Sequence, residues 1–247
     1  MKMVMRHRIQ GFTIVGLMVG LLISLLVVLS MLFVYRGVLN SVFGTKEQPG
    51  LVPSAQQDGQ LASGLLSAQL ALQSAGFGVP GAAFGKEIVF LQNASFDAKT
   101  QRLSGTVQPI AVTDTSGNAI AFEMDPALSG DAATRECMAL WSDAGDGHGL
   151  YLLRAAAPCS PIGSNFNSLT WKAFPLVADR SQPSSIAFNA RNSVDCWPFG
   201  SVSKSITGID PATAPLQLSI TYRNSTLGKG VAGSPTTLIL CLTNIQS

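Results

Sequence analysis

Residues 12–35 read FTIVGLMVGLLISLLVVLSMLFVY, 24 positions without a charge or a proline, with Arg6-His7-Arg8 before them and Arg36 after. A helix of that length spans about 36 Å, enough to cross a bilayer core of about 30 Å with some tilt. In lipid every backbone group must be paired inside its own segment, and an unbroken helix does this. The basic cluster lies on the N-terminal side, so that end is expected to stay cytoplasmic while the bulk of the chain is exported. A cleaved secretory signal has a shorter apolar region and a small-x-small site behind it, and this run is too long for that reading.

The residues that open the run add a second layer. A short basic leader with Lys2, Arg6 and Arg8 ends at Gly11, and Phe12-Thr-Ile-Val-Gly-Leu-Met-Val19 follows. This resembles the class III signal of type IV prepilins and pseudopilins, in which a leader ending in Gly precedes Phe-Thr-Leu-Ile-Glu-Leu-Met-Val. The resemblance implies cleavage by a prepilin peptidase between Gly11 and Phe12, methylation of the new N-terminal Phe12, and retention of the helix. One position departs from the pattern. The acidic residue at the fifth mature position of the family falls on Gly16, which cannot form the carboxylate–amine pair thought to set axial register in the filament. A subunit at the filament tip has no neighbour above it, so the departure suggests a tip or initiating role; tolerance of the loss in a low-abundance subunit is the alternative. Gly16, Gly20 and Ser24 also recur every four residues and share one face, a candidate seam for close helix packing.

The 247 residues would shorten to about 236 on cleavage, and the part beyond the apolar helix has the size of one domain. Formal net charge is +2, but three basic residues lie in the leader, so the mature chain would hold 13 basic and 14 acidic side chains. No basic run remains to attract nucleic acid, which is possible as a partner but unsupported. The four cysteines, Cys137, Cys159, Cys196 and Cys241, all fall on the exported side, where disulfides form. Three pairings are open; proximity in sequence favours Cys137–Cys159 and Cys196–Cys241. The absence of a CxxC argues against a zinc site.

Past Arg36 the first helix is expected to run to residue 42, and Gly44, Pro49-Gly50 and Pro53 to interrupt it, making 43–53 a hinge. A head over 54–247 follows. It opens on a helix, 54–75, with Ser54-Ala-Gln-Gln57 as a capping box and Leu61, Leu65, Ala68 and Leu72 as an apolar stripe. Gly76, Gly78 and Pro80-Gly81 end it. Leu70-Ala-Leu-Gln-Ser-Ala-Gly-Phe-Gly78 resembles the segment that ends this helix in PilW-type minor pilins, without that segment's usual basic residue. Strands are expected at 86–91, 102–113, 119–124, 136–141, 150–155, 168–177, 185–188, 216–222 and 237–245. The last is almost wholly apolar and reads as central to a single sheet packed on the helix. The fold class is therefore α+β, a pilin fold with a long N-terminal hydrophobic helix and an antiparallel β-sheet head.

Chemistry-bearing motifs are few. Asp143 and Asp146 in the glycine-rich turn 142–149 offer oxygens to calcium, but the EF-hand order is not met, and a polar hairpin turn explains them. His148 would be the one histidine left after processing, and no G-x-S-x-G elbow or phosphate-binding loop accompanies it. Trp141, Trp171 and Trp197 fit either a contact surface or the core. No cofactor and no enzymatic activity are expected. The resemblance implies a minor pilin of a type IV pilus, acting in pilus assembly. It would sit first in the inner membrane with its head in the periplasm, and later in the extracellular fibre with major and minor pilins. A minor pseudopilin of type II secretion and a tip-borne adhesin or DNA-uptake receptor are the alternatives.

Overall fold

The computed structural model describes residues 14–44, 50–111, 113–144, 149–178, 186–196, 214–223 and 234–245. The chain divides into two compact units, residues 1–53 and 54–247. In the first, α1 (Ile14–Phe43) is a single helix of 30 residues, about 45 Å long. None of its side chains is buried within the protein, and it is long and apolar enough to cross a membrane. Its polar side chains do not break it. The Ser24 and Ser30 hydroxyls donate to the Leu21 and Leu26 carbonyls, each at 2.8 Å, so they are satisfied by the helix itself.

Helix α2 (Leu51–Gln73) begins earlier than the prolines suggest. Pro53 stands in its first turn, where amides lack helical acceptors anyway and a φ fixed near −65° fits the helix. Residues 51–53 of the expected hinge are therefore helical, and Ser54 lies inside the helix rather than capping it. The stripe Leu61, Leu65, Ala68 and Leu72 is buried, as its spacing requires. Gly64 on the same side lets α2 come close to a strand: a Cβ there would sit 2.5 Å from the Leu176 carbonyl oxygen.

The head holds two antiparallel sheets, not one. The six-stranded sheet has the order β2-β1-β4-β5-β6-β7 and uses β1 (Ile88–Asp97), β2 (Arg102–Gln108), β4 (Ala119–Met124), β5 (Glu136–Ser142), β6 (Leu150–Ala155) and β7 (Trp171–Val177). The four-stranded sheet, β10-β9-β8-β3, uses β3 (Thr115–Gly117), β8 (Ala187–Cys196), β9 (Ala214–Arg223) and β10 (Pro235–Leu242). Strand β1 continues through the expected connection because Asn93, at a φ of 52°, sits in a bulge between Gln92 and Ser95 that carries pairing past the polar residues. Strand β10 lies at an edge of its sheet. Of its apolar run only Leu240, Cys241 and Leu242 are buried, while Ile239 is exposed.

Period-two alternation divides the core. One face of the larger sheet presents Ile88, Phe90, Ile120, Phe122, Met138 and Leu140 to a cluster shared with the α2 stripe and with Phe188, Leu218, Ile220, Leu240 and Leu242 of the smaller sheet. The opposite face is built on small residues, Ala119, Ala121 and Ala139. These leave room for Ile162 and Phe166 from the connection between β6 and β7, which includes the short helix α3 (Ile162–Asn165), and for Trp171 at the start of β7.

Candidate functional site

The candidate sites lie in three places: the apolar helix, the loop after β5, and a buried polar cluster behind the larger sheet. On α1, Gly16, Gly20 and Ser24 fall on one exposed side of the helix, and a Cβ on Gly20 would meet nothing within 4 Å. Gly11 and Phe12 lie outside the described residues. Two large apolar side chains of α2, Leu66 and Leu70, one turn apart, are exposed at 57% and 59% while their neighbours Leu65 and Leu72 are buried.

In the hairpin loop, β5 and β6 pair as expected, with Trp141 opposite Tyr151. The Asp143 amide donates to the Gly149 carbonyl at 3.0 Å and closes the loop. Asp146, His148 and Trp197 lie outside the described residues, and with them the expected calcium set. Trp141 and Trp171 are buried, each donating its indole N–H to a carbonyl, of Ala94 at 3.0 Å and of Phe166 at 2.9 Å. They are core residues.

The polar cluster begins at the end of β4. The sequence IAFEM reads as an ordinary strand, but its Glu123 is fully buried and faces the alanine-lined side of the sheet. The Arg135 Nη1 donates to Glu123 Oε1 at 2.6 Å and to the Ser160 hydroxyl oxygen at 2.8 Å, and the Ser160 hydroxyl in turn donates to Oε1 at 3.3 Å. Burial pushes the Glu123 carboxyl above its ordinary value; the Arg135 charge and hydrogen bond and the Ile162 amide pull it down, and Glu87 nearby pushes it up further. Glu87, also buried, accepts from the Ala83 amide at 2.9 Å and pairs with Lys86 at 2.9 Å.

Two residues on, Asp125 organises the loop before β5. Its carboxylate accepts from the Gly130 amide at 2.7 Å, the Thr134 hydroxyl at 3.0 Å and the Ser129 hydroxyl and Ala127 amide, each at 3.2 Å. Burial alone would raise its pKa, but these bonds to the charged form outweigh it and hold the group below the ordinary value.

Beside Glu123 lies the disulfide Cys137–Cys159, which ties β5 to the segment after β6 and so clips the β5–β6 hairpin. The second disulfide, Cys196–Cys241, joins β8 to β10 across the start of β9. No thiol is left free. A ligand atom of Glu123 and the two sulfurs of Cys137 and Cys159 gather within 4.8 Å of one another. The sulfurs are bonded to each other, so this group is not a metal centre as it stands. Sequence reasoning passed over Glu123; the signal was a lone acid in an otherwise apolar strand, opposite a cysteine. No protein-family model, curated protein or solved structure matches this chain.

Proposed function

We propose that the chain is a minor pilin of a type IV pilus, a structural subunit that takes part in assembling the fibre. One observation carries the reading: the unbroken apolar helix α1, with no side chain buried in its own protein, closely follows the short basic leader that ends at Gly11. A surface of that kind has two stable surroundings, lipid or other apolar helices. The mechanism is an exchange of the first for the second, with the two-sheet head carried outside on α2. Exposed Leu66 and Leu70 would extend the apolar contact along that helix. Gly16, in the place of the family's acid, fits a subunit at the end of the fibre.

The test is expression of the full chain with and without a prepilin peptidase, followed by intact-mass and N-terminal analysis. The expected product begins at methylated Phe12 and co-purifies with other pilins; Gly11→Ala blocks its formation. A mature chain starting beyond Tyr35 sinks the proposal.

A further inference from the structure

The disulfide Cys137–Cys159 is buried beside a carboxylate, and the arrangement bears on how the bond is made. Glu123 stands directly opposite Cys137 in the β4–β5 register, which places both side chains on the same face of the sheet. The reach of 4.8 Å among the Glu123 oxygen and the two sulfurs leaves no room for another side chain between them, and all three residues are at most 3% exposed. One carboxylate oxygen, Oε1, is occupied by Arg135 and Ser160. The other, Oε2, is buried and makes no well-aligned hydrogen bond. A buried oxygen left this way costs stability and calls for an explanation.

We propose that Glu123 is the internal proton acceptor for formation of the Cys137–Cys159 bond. In the reduced head one thiol passes its proton to the free Glu123 oxygen, and the thiolate attacks a disulfide-bearing oxidant. The oxidant's S–S bond breaks, a mixed disulfide forms, and one oxidant thiolate leaves to be protonated by solvent. Glu123 then loses its proton to solvent and takes that of the second thiol. The second thiolate attacks the protein sulfur of the mixed disulfide, closing Cys137–Cys159 and releasing the second oxidant thiolate. Two protein thiols are oxidised and one disulfide is reduced to two thiols.

The surroundings suit this role. Cys137 borders a surface cavity of about 390 Å³ together with Arg135, Glu136 and Arg154, which gives an oxidant its approach on the Cys137 side. Arg135 holds the carboxylate in place from the segment before β5, and Ser160 and the Ile162 amide approach it from the β6–β7 connection. Glu87, with Lys86 paired to it, faces it from the segment before β1. Burial raises the affinity of Glu123 for a proton, which brings it closer to the thiols it serves.

The test uses the full-length protein in detergent, reduced with a dithiol and reoxidised with glutathione disulfide between pH 5 and pH 9. Alkylation and peptide mass analysis follow the Cys137–Cys159 pair separately from Cys196–Cys241. Glu123→Gln, which still accepts a hydrogen bond from Arg135, is expected to close the first pair about 10²-fold more slowly at neutral pH and to leave the second unchanged. Closure by the variant at the native rate or faster overturns the proposal, because the carboxylate then adds only repulsion. The native protein gives a readout independent of the variant. Its rate is expected to level off where Glu123 titrates, and a rate that goes on climbing tenfold per pH unit up to the ordinary thiol range near pH ~8.5, as for a thiol with no internal acceptor, overturns it as well.

Discussion

Glu123 and Gly64 show what single residues decide in this head. Glu123 keeps a charge in a place that burial makes unfavourable, so its folded pKa lies above the unfolded value of 4.5. The folded head therefore takes up a proton before the unfolded chain does as pH falls. The burden is complete above the folded pKa, and stability contributed by this group rises as pH drops from there toward 4.5. Glu123→Gln is expected to remove that rise, seen as a smaller difference in urea midpoint between pH 7.5 and pH 5 than in the native protein. An unchanged difference would place the titration elsewhere. Gly64 acts through space alone. Any side chain there meets the Leu176 carbonyl and the Val177 methyl, and Gly64→Val should cost about 1–3 kcal/mol by overpacking, read from the denaturant midpoint. Neither role was legible beforehand. A glycine in a helix and an acid in a strand look alike in sequence whether buried or exposed, since the partner that makes them matter comes from a distant strand.

At the scale of elements, local periodicity was the reliable guide. The α2 stripe at Leu61, Leu65, Ala68 and Leu72 and the β5–β6 hairpin were readable because each depends on spacing within one segment. Pro53 misled because a proline stops a helix in its interior and starts one in its first turn. Strand β10 misled because a run of apolar residues reads as a central strand, although only one end of it is covered. The two sides of α2 separate cleanly by experiment. Leu65→Ala should destabilise the head by about 2–5 kcal/mol, as deletion of a buried leucine does. Leu66→Ser and Leu70→Ser should leave its stability within about 0.5 kcal/mol, as surface changes do; on the proposed pilin reading they should also weaken co-purification with other pilins. Equal loss of stability on both sides would show that the exposed leucines support the head itself.

For the whole molecule, sheet number was the feature that sequence could not supply. Strands 119–124 and 115–117 are neighbours in the chain yet belong to different sheets, and no local pattern marks that switch. The cysteines fared better, because the structure pairs them consecutively along the chain. Each bond closes a loop, of 22 and 45 residues, and each should contribute about 3–4 kcal/mol through the unfolded chain. Thermal melts with and without a reductant should therefore differ markedly, and a Cys196→Ser, Cys241→Ser protein should show about half of that shift alone. A melt insensitive to reductant would contradict the assignment.

The far end of the described chain carries one more implication. Ile245 is buried against the turn after α2, close enough to Gly76 that a methyl group there would collide with it, and the Asn244 side-chain amide donates to the Gln73 carbonyl at 3.2 Å. Since a ribosome delivers residue 73 long before residue 245, the closing contact at the end of α2 forms only after almost the whole head has been made.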